Sequence, residues 1–403
     1  MLTICDLNLD CLVRIFCYCS PSDLVNLCRA SSFFNSVINN HIYFAKTLDL
    51  LLCGHRDDPA ICDRTFDELS YRSRLSIGAN WLNGRYTETT YFNSNRMCAA
   101  KIHLDKDNLY ITHQRYLRIH KRLRDEPVKR RCTEEICTNS KADISDFSKK
   151  NNTIFAGRVY GSGFIYEEGI VTDVRLHDVS EYLWCVDFSN NLFLSSTDKC
   201  TKMWQRADQF GLLYLDLAKE YPESYKTMQL NQDGDRFYGG LYTDKENRAL
   251  REVDIETGTQ RILNSKTFSI YDLKLKDDNV FFTANFDTTF RMYDRRVDAD
   301  VGIWEDQFGS SIYCLEYDGL YAVLCGVKHH CRVNLYDIRM PEKCVQIYFP
   351  SARNGRSSPV YSIACDSRYL FVATDRNLRV LDFKADWAAN RDYRNLFKTV
   401  IRG

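Results

Sequence analysis

The sequence has no excess of charge of either sign and no long apolar run. Lysine plus arginine and aspartate plus glutamate number 54 each, so the chain has no global charge for holding nucleic acid or an acidic membrane. No apolar run approaches membrane-spanning length, and the start, MLTICDLNLD, has no basic stretch before an apolar core, as a signal peptide would have. We expect a soluble protein of the cytosol or nucleus, with neither a membrane nor a nucleic acid as partner.

The motifs of common catalytic sites are also missing. The sequence has no phosphate-binding loop, no nucleophile elbow and no zinc-protease helix. Cys132 and Cys137 have no second cysteine pair near them, and His329-His330-Cys331 stands alone, so neither group makes a strong metal motif. We expect no catalytic residue, no cofactor and no metal site.

Cysteine, in contrast, is abundant. The 17 cysteines are an odd number and are scattered through apolar runs such as Ile15 to Cys19. This distribution is typical of buried thiols in a reducing compartment and not of a disulfide framework. It agrees with an intracellular protein.

A unit of short β-rich runs recurs along most of the chain. Its clearest copy, Leu183 to Trp204, has two such runs, a turn, an aspartate and a third run that ends on an aromatic residue. Further copies span Tyr271 to Tyr293, Tyr313 to Tyr336, and Tyr361 to Leu381. In three of the four copies an aspartate stands six residues before the closing residue, and these are Asp198, Asp287 and Asp375.

The period of this unit predicts a β-propeller. About seven units at a spacing of roughly 40–45 residues match four-stranded propeller blades. Their closing residues are Ile119, Tyr166, Trp204, Val253, Tyr293, Tyr336 and Leu381. Small antiparallel sheets have exposed edges and cannot bury both faces alone, so the blades are expected to stack around an axis. We expect a strand near Trp81 to Phe92 to close the ring on the last blade; a β-sandwich is the alternative.

Residues Leu7 to Phe44 have a different, helical pattern. Apolar residues from Leu9 to Phe16 fall at helical spacing, and Ser20 to Asp23 predicts a second helix that begins with an N-cap, a proline and a capping-box acid. A third helix is expected from about Ser32. Three short helices bury little apolar area, which favours an apolar face that a partner covers.

This helical pattern resembles the F-box, the module that docks on the Skp adaptor of cullin-based ubiquitin ligases. The resemblance depends on Leu7, Leu12, Ile15, Phe16, the Ser22-Asp23-Leu24 helix start, Leu27, Cys28 and the Phe33-Phe34 pair. The sequence departs from the family at Asn8, where proline is usual, and in the third helix, where phenylalanine replaces tryptophan. The resemblance implies adaptor contacts by Leu7, Leu12, Ile15, Phe16, Leu24, Leu27, Phe33 and Phe34; a plain helical cap is the alternative.

Most of the chain is similar to the F-box/WD-repeat proteins. Besides the F-box and the repeats, the similar features are Asn80-Trp81, Gly84-Arg85, Ser358 to Tyr361 and Leu381 to Phe383. The resemblance implies a non-catalytic substrate-recognition subunit of an Skp–cullin–F-box ubiquitin ligase. Its partners would be the Skp adaptor and the cullin through the F-box, and an unknown protein substrate on the propeller. A WD-repeat scaffold without ligase activity is the alternative.

The predicted fold class is α+β and multidomain. We divide the chain into a three-helix F-box (1–45), a helical connector (46–79), a seven-bladed WD propeller (80–384) and a C-terminal tail (385–403). The polar tract Thr133 to Lys150 is expected to be a flexible loop. The basic stretch Arg115 to Arg131 is interpreted as an outer blade strand with a solvated loop; a nuclear-import signal or a phosphate-binding patch is the alternative.

One residue in the first strand of each WD blade is exposed near the top opening of the propeller. By this resemblance the position is held by Trp184, Tyr271, Tyr313 and Tyr361. Better-known F-box/WD proteins have arginines there, which bind phosphorylated segments through bidentate bonds that aromatic rings cannot make. We expect these rings to bind an apolar, aromatic or cationic segment; rings that merely fill the channel mouth are the alternative.

Overall fold

In the computed structural model, the described residues are 4–54, 64–94, 96–124, 126–189, 191–209, 212–243, 248–350 and 358–387. The N-terminal part is helical, and the rest contains seven four-stranded antiparallel sheets. The predicted fold class, a helical module followed by a seven-bladed β-propeller, is confirmed. None of the described helices has the length and apolar character needed to cross a membrane.

The N-terminal module consists of short helices. A 3₁₀ turn (Ile4–Asp6) precedes α1 (Leu9–Cys17), α2 (Pro21–Ala30) and α3 (Ser32–Val37), and the chain continues as a π-helix (Ile38–Tyr43) and α4 (Phe44–Thr47). The predicted start of α2 is confirmed, because Ser20 is the N-cap and Asp23 completes a capping box. Asn8, which replaces the family's proline, caps α1 by accepting a hydrogen bond from the backbone of Cys11 at 2.9 Å. This departure from the family pattern therefore supplies a helix start.

Helix α5 (Tyr71–Asn83) attaches the N-terminal part to the propeller. It begins after the N-cap Ser70 and ends at Gly84, whose φ of 63° suits a residue without a Cβ. Trp81, which we expected near the closing strand, lies in this helix. It is fully buried among residues of the sixth and seventh blades. The predicted closing strand was therefore wrong at Trp81. The local sequence pattern did not show that this residue lies in a helix whose buried side packs on the propeller.

Each blade has four strands, and the first strand lies innermost. Blades 1 to 3 contain, in order, β2 (Ile102–Leu104), β3 (Asn108–His113), β4 (Tyr116–Lys121) and β5 (Glu134–Ile136); β6 (Ile144–Lys150), β7 (Thr153–Arg158), β8 (Ser162–Glu167) and β9 (Ile170–Arg175); β10 (Leu183–Ser189), β11 (Leu192–Thr197), β12 (Thr201–Gln209) and β13 (Leu212–Tyr221). Blades 4 and 5 contain β14 (Tyr225–Leu230), β15 (Arg236–Leu241), β16 (Leu250–Asp254) and β17 (Gln260–Ile262); β18 (Ile270–Leu275), β19 (Val280–Asn285), β20 (Thr289–Asp294) and β21 (Ala299–Glu305). Blade 6 contains β22 (Ile312–Tyr317), β23 (Ala322–Val327), β24 (Val333–Asp337) and β25 (Cys344–Tyr348).

Blade 7 joins the two ends of the propeller. It contains β26 (Val360–Cys365), β27 (Tyr369–Thr374), β28 (Asn377–Asp382) and, as its outer strand, β1 (Thr87–Asn93). Strand β1 pairs antiparallel with β28 from Thr87 opposite Asp382 to Asn93 opposite Asn377. The predicted closure is thus confirmed for the residues after Tyr86. It removes the free edge that an open array of blades would present.

The seven closing residues all lie in the third strands of their blades, but Ile119 faces the opposite side of its sheet from the others. Ile119 packs towards blade 2 beside Ile144, whereas Tyr293 packs towards the blade that precedes its own. His120 occupies the equivalent face in blade 1, where its ring lies 4.6 Å from that of Phe92 in β1. Successive residues of a strand face opposite sides of the sheet, so a shift of one residue reverses the predicted face. The repeat pattern of blade 1 was too weak to choose His120 over Ile119.

Two further predictions for blades 1 and 2 were wrong. The tract Thr133 to Lys150, expected to be a loop, contains the whole of β5 and β6. The basic stretch Arg115 to Arg131 contains β4, a third strand and not an outer one, and its Arg122 is buried in an ion pair with Asp366. Part of the predicted connector, residues 55–63, lies outside the described residues, and so does the C-terminal tail beyond Trp387.

Side chains of the inner strands connect neighbouring blades. Asp146, Asp187, Gln229 and Asp272 each accept a hydrogen bond from a backbone N–H of the following blade's first strand, at 2.8 to 3.1 Å. Buried backbone donors at the edge of an inner strand need such partners, because no further strand is present to pair with them. These contacts hold the inner strands, and therefore the residues at the channel mouth, in register.

Candidate binding surfaces

The four predicted aromatic residues lie at the same end of the propeller, which we call the top. Each is the second residue of its blade's inner strand, and in each case the strand pairing skips that residue as a bulge. A bulged residue is left out of the strand pairing, and its side chain is redirected. All four side chains are partly exposed. They are Trp184, Tyr271, Tyr313 and Tyr361.

The structure brings these four rings into one row with a fifth. The ring centroids of Tyr271 and Tyr313 are 4.6 Å apart, and those of Tyr313 and Tyr361 are 6.2 Å apart. Tyr242 connects Trp184 to Tyr271 with centroid distances of 6.1 and 5.7 Å. We call Trp184, Tyr242, Tyr271, Tyr313 and Tyr361 the aromatic band. Sequence reasoning missed Tyr242, which follows β15 and has no place in the inner-strand pattern.

The band has a cation at one end. Lys226 stands at the bulged position of blade 4, and its Nζ lies 5.0 Å from the ring centroid of Trp184. Burial, and then the charge of Lys101, lower the pKa of Lys226. A cationic segment would meet this like charge beside Trp184. The band therefore presents an amine beside the ring of Trp184.

The hydroxyl groups of Tyr271, Tyr313 and Tyr361 act as neutral hydrogen-bonding groups. Burial, followed by the neighbouring Tyr313, raises the pKa of Tyr271. Burial also raises the pKa of Tyr313 and of Tyr361. These phenols therefore stay protonated at neutral pH and can donate as well as accept. The band presents flat apolar faces with a few polar atoms, a combination common at protein-binding surfaces.

The connector contacts the inner strand β22 at the end opposite the aromatic band. Arg64 forms an ion pair with Glu316 and donates a hydrogen bond to the carbonyl of Tyr317 at 2.9 Å. Burial alone would raise the pKa of Glu316, but Lys274 and Arg64 hold it below its usual value. Glu316 lies three residues beyond Tyr313 in β22, or about 10 Å along the strand. The connector and the aromatic band thus occupy opposite ends of the inner strands.

The eight predicted adaptor contacts differ in burial. Leu12, Phe16, Leu24 and Phe34 are buried in the core of the N-terminal module, so their direct effect is on its stability. Leu7, Ile15 and Phe33 are exposed, together with Ile4 and Leu9, which sequence reasoning did not select, and all five side chains are 40% to 45% exposed. Leu27 is half-buried and packs on the core. The exposed apolar side chains of this module, and not the buried ones, form the surface that a partner can cover.

Neither weak metal motif forms a cluster of three ligand atoms in the described part of the chain. Cys331 of the His329-His330-Cys331 run is buried in the core shared by blades 6 and 7. A different trio, His177, Glu181 and Cys200, does come together at the top of blade 3. It was missed because its members are separated along the sequence and have no motif spacing.

Comparison with known proteins agrees with this architecture. Residues 4–46 match the model of the F-box domain, so the chain carries an F-box ahead of its propeller. Over 321 residues the chain is 23% identical to F-box/WD repeat-containing protein 4 of Homo sapiens and 22% identical to that of Mus musculus. Each alignment covers 78% of this chain and 77% of the relative. The predicted resemblance to F-box/WD-repeat proteins is confirmed as homology to this member.

Proposed function

We propose that this chain is the substrate-recognition subunit of an Skp–cullin–F-box ubiquitin ligase. Its F-box binds the Skp adaptor and through it the cullin, and the top of its propeller holds the target protein. The chain itself does no bond chemistry. By holding the target, it raises the effective concentration of a target lysine near ubiquitin carried by the ligase. We expect this to happen in the cytosol or nucleus.

The observation that supports this proposal best is that two exposed apolar surfaces lie on parts of the chain that a packed connector joins. The F-box exposes the apolar side chains of Ile4, Leu7, Leu9, Ile15 and Phe33, and the aromatic band lies at the far end of the propeller. Between them, the connector is joined to blades 6 and 7 by a common buried core that contains Leu52, Ile77 and Trp81. A subunit that positions one protein relative to another needs such a rigid joint.

The adaptor surface is tested with charged substitutions at exposed positions. Leu7→Asp plus Ile15→Asp should abolish recovery of the Skp adaptor and cullin in a pull-down, because two carboxylates cannot be buried against an apolar partner. Ile170→Asp plus Val179→Asp is the matched control, since both of these residues are exposed apolar residues in or just after blade 2. Leu12→Asp is unsuitable as a test because Leu12 is fully buried.

Either outcome of this pull-down decides between the proposal and its alternative. Recovery with the wild type and the control pair, but not with the Leu7 and Ile15 pair, supports the ligase subunit. A folded wild-type chain that recovers neither adaptor nor cullin would refute it. The chain would then be a WD-repeat scaffold that assembles proteins without ligase activity.

The aromatic band is tested through target capture. Trp184→Ala plus Tyr361→Ala should remove proteins that co-purify with the wild type and become ubiquitinated, since aromatic anchors dominate such surfaces. Tyr214→Ala plus Leu217→Ala in the outer strand of blade 3 is the control, because both residues are exposed. Unfolding of the Trp184 and Tyr361 variant, seen by circular dichroism, would instead show that the rings only fill the channel mouth.

A further inference from the structure

Three potential metal ligands converge at the top of blade 3. His177 follows β9, Glu181 lies in the loop that leads into β10, and Cys200 lies in the turn between β11 and β12. Nδ1 of His177 is 3.2 Å from Oε2 of Glu181, and Sγ of Cys200 is 3.8 Å from that nitrogen and 3.9 Å from that oxygen. Histidine, cysteine and carboxylate are the ligands that zinc prefers.

The triangle of ligand atoms has the size that a zinc ion requires. A triangle with sides of 3.2, 3.8 and 3.9 Å has a point about 2.1 Å from all three corners. Zinc bonds measure about 2.0–2.1 Å to histidine nitrogen, about 2.0–2.2 Å to carboxylate oxygen and about 2.3 Å to cysteine sulfur. An ion therefore fits near this point with shifts of only a few tenths of an ångström.

Neighbouring side chains hold the three ligands in place. Nε2 of His177 lies 2.8 Å from Oγ of Ser195, which also accepts a hydrogen bond from Nε1 of Trp204 at 2.8 Å. The hydroxyl of Thr197 donates to Glu181 at 2.7 Å and accepts from the backbone N–H of Cys200 at 3.3 Å. Such outer contacts fix the orientation of metal ligands and tune their affinity.

A hydrogen-bond network alone explains part of this arrangement. His177 can donate from Nδ1 to Glu181 while Ser195 donates to Nε2, and this satisfies the ring without an ion. This network does not account for Cys200. Its Sγ lies 3.8 Å from Nδ1 of His177 and 3.9 Å from Oε2 of Glu181, distances at which a sulfur hydrogen bond is weak. The third ligand is what distinguishes a metal site from the network.

We propose that Nδ1 of His177, a carboxylate oxygen of Glu181 and Sγ of Cys200 bind a zinc-type divalent ion, with water as the fourth ligand. On binding, the thiol releases its proton to solvent and binds as thiolate. The histidine stays neutral, with its proton on Nε2, where it donates to Ser195. One proton is released for each ion bound, unless the bound water also ionises.

The ion would connect the loop between blades 2 and 3 to the β11–β12 turn. This loop continues through Tyr182 into Leu183 and Trp184, where the aromatic band begins. The backbone N–H of Tyr182 already donates to Asp198 in the same turn at 2.8 Å. Bound metal would therefore add a second link beside the band and restrict the loop that leads to Trp184.

Cobalt(II) is the probe that tests this site. The full-length chain is purified with a reductant and a chelator, which is then removed, and is titrated with Co²⁺. We expect a thiolate-to-cobalt absorption band in the near ultraviolet that saturates at one equivalent, and one equivalent of Zn²⁺ should abolish it. Because the chain has 17 cysteines, the variants identify the thiol that binds.

Cys200→Ser should abolish this band, whereas Cys137→Ser, which changes an exposed cysteine, should keep it. Glu181→Gln can still accept the hydrogen bond from His177, so the network survives, but affinity should fall by at least the ~10–100-fold that loss of an outer contact costs. Absence of the band in the folded wild type, or an equal band in the folded Cys200→Ser and Glu181→Gln variants, would show a hydrogen-bond network only. If Cys200→Ser fails to fold, Glu181→Gln decides.

Discussion

Trp81 joins the connector to the propeller, and truncating it should weaken the whole structure. The indole is fully buried, stacks on Phe383 with centroids 3.4 Å apart, and donates Nε1 to the carbonyl of Ser367 at 2.9 Å. Removal of a buried tryptophan side chain costs about 3–5 kcal/mol, because burial is lost and a cavity remains. Trp81→Ala should therefore lower the free energy of unfolding by about 3–5 kcal/mol.

Trp81→Phe separates packing from hydrogen bonding. Phenylalanine keeps most of the stacking on Phe383 but leaves the carbonyl of Ser367 with the thiol of Cys53 as its donor in place of the indole, which costs about 0.5–1.5 kcal/mol. Urea unfolding followed by circular dichroism measures both variants, and Trp387→Ala is the control, since Trp387 is exposed. The control should change stability by less than about 0.5 kcal/mol. A Trp81→Ala variant as stable as this control would refute the assignment of Trp81 to the joint.

Two further predictions concern the inner strands. Asp187→Ala should lower the free energy of unfolding by about 1–3 kcal/mol, measured in urea, because the N–H of Leu230 and the hydroxyl of Ser148 lose their acceptor; an unchanged midpoint would contradict this inter-blade role. Burial, followed by the charges of Lys149 and Lys274, lowers the pKa of His103 to about 4. As the pH falls from about 6.5 to about 4, His103 therefore becomes protonated in the unfolded chain but stays neutral in the folded chain. Stability should be lost over that interval, and His103→Gln should flatten the corresponding part of a pH series of urea midpoints; an unchanged slope would contradict the assignment.

The division between what the sequence predicts and what it does not follows the range of the interactions. Strand alternation, turn residues and the capping box of α2 are local, so the blade period, the third-strand position of Tyr293 and the start of α2 at Ser20 could be predicted from residues a few positions apart. The closing strand could be predicted only from the requirement that a propeller closes. Local residues do not indicate it, because its partner β28 is nearly 300 residues away along the chain. The weak patterns of blade 1 gave the wrong face for Ile119 and missed β5.

The binding surfaces show the same limit. Helical spacing identifies Leu12 and Ile15 alike as apolar positions, and only packing decides that Leu12 is core and Ile15 is surface. The inner-strand pattern identifies Trp184 and Tyr361, but it could not include Tyr242, which joins the band through its tertiary position.

The sequence by itself therefore determined the kind of protein: an F-box ahead of seven WD-type blades, with aromatic residues at the channel mouth. The tertiary structure alone decided which side chains of that plan are exposed, which meet across blades and which end of β22 the connector contacts. The reason is that exposure and convergence depend on contacts between residues far apart in the chain. The closure of β1 on β28, the burial of Trp81 and the meeting of His177 with Cys200 are all contacts of this kind.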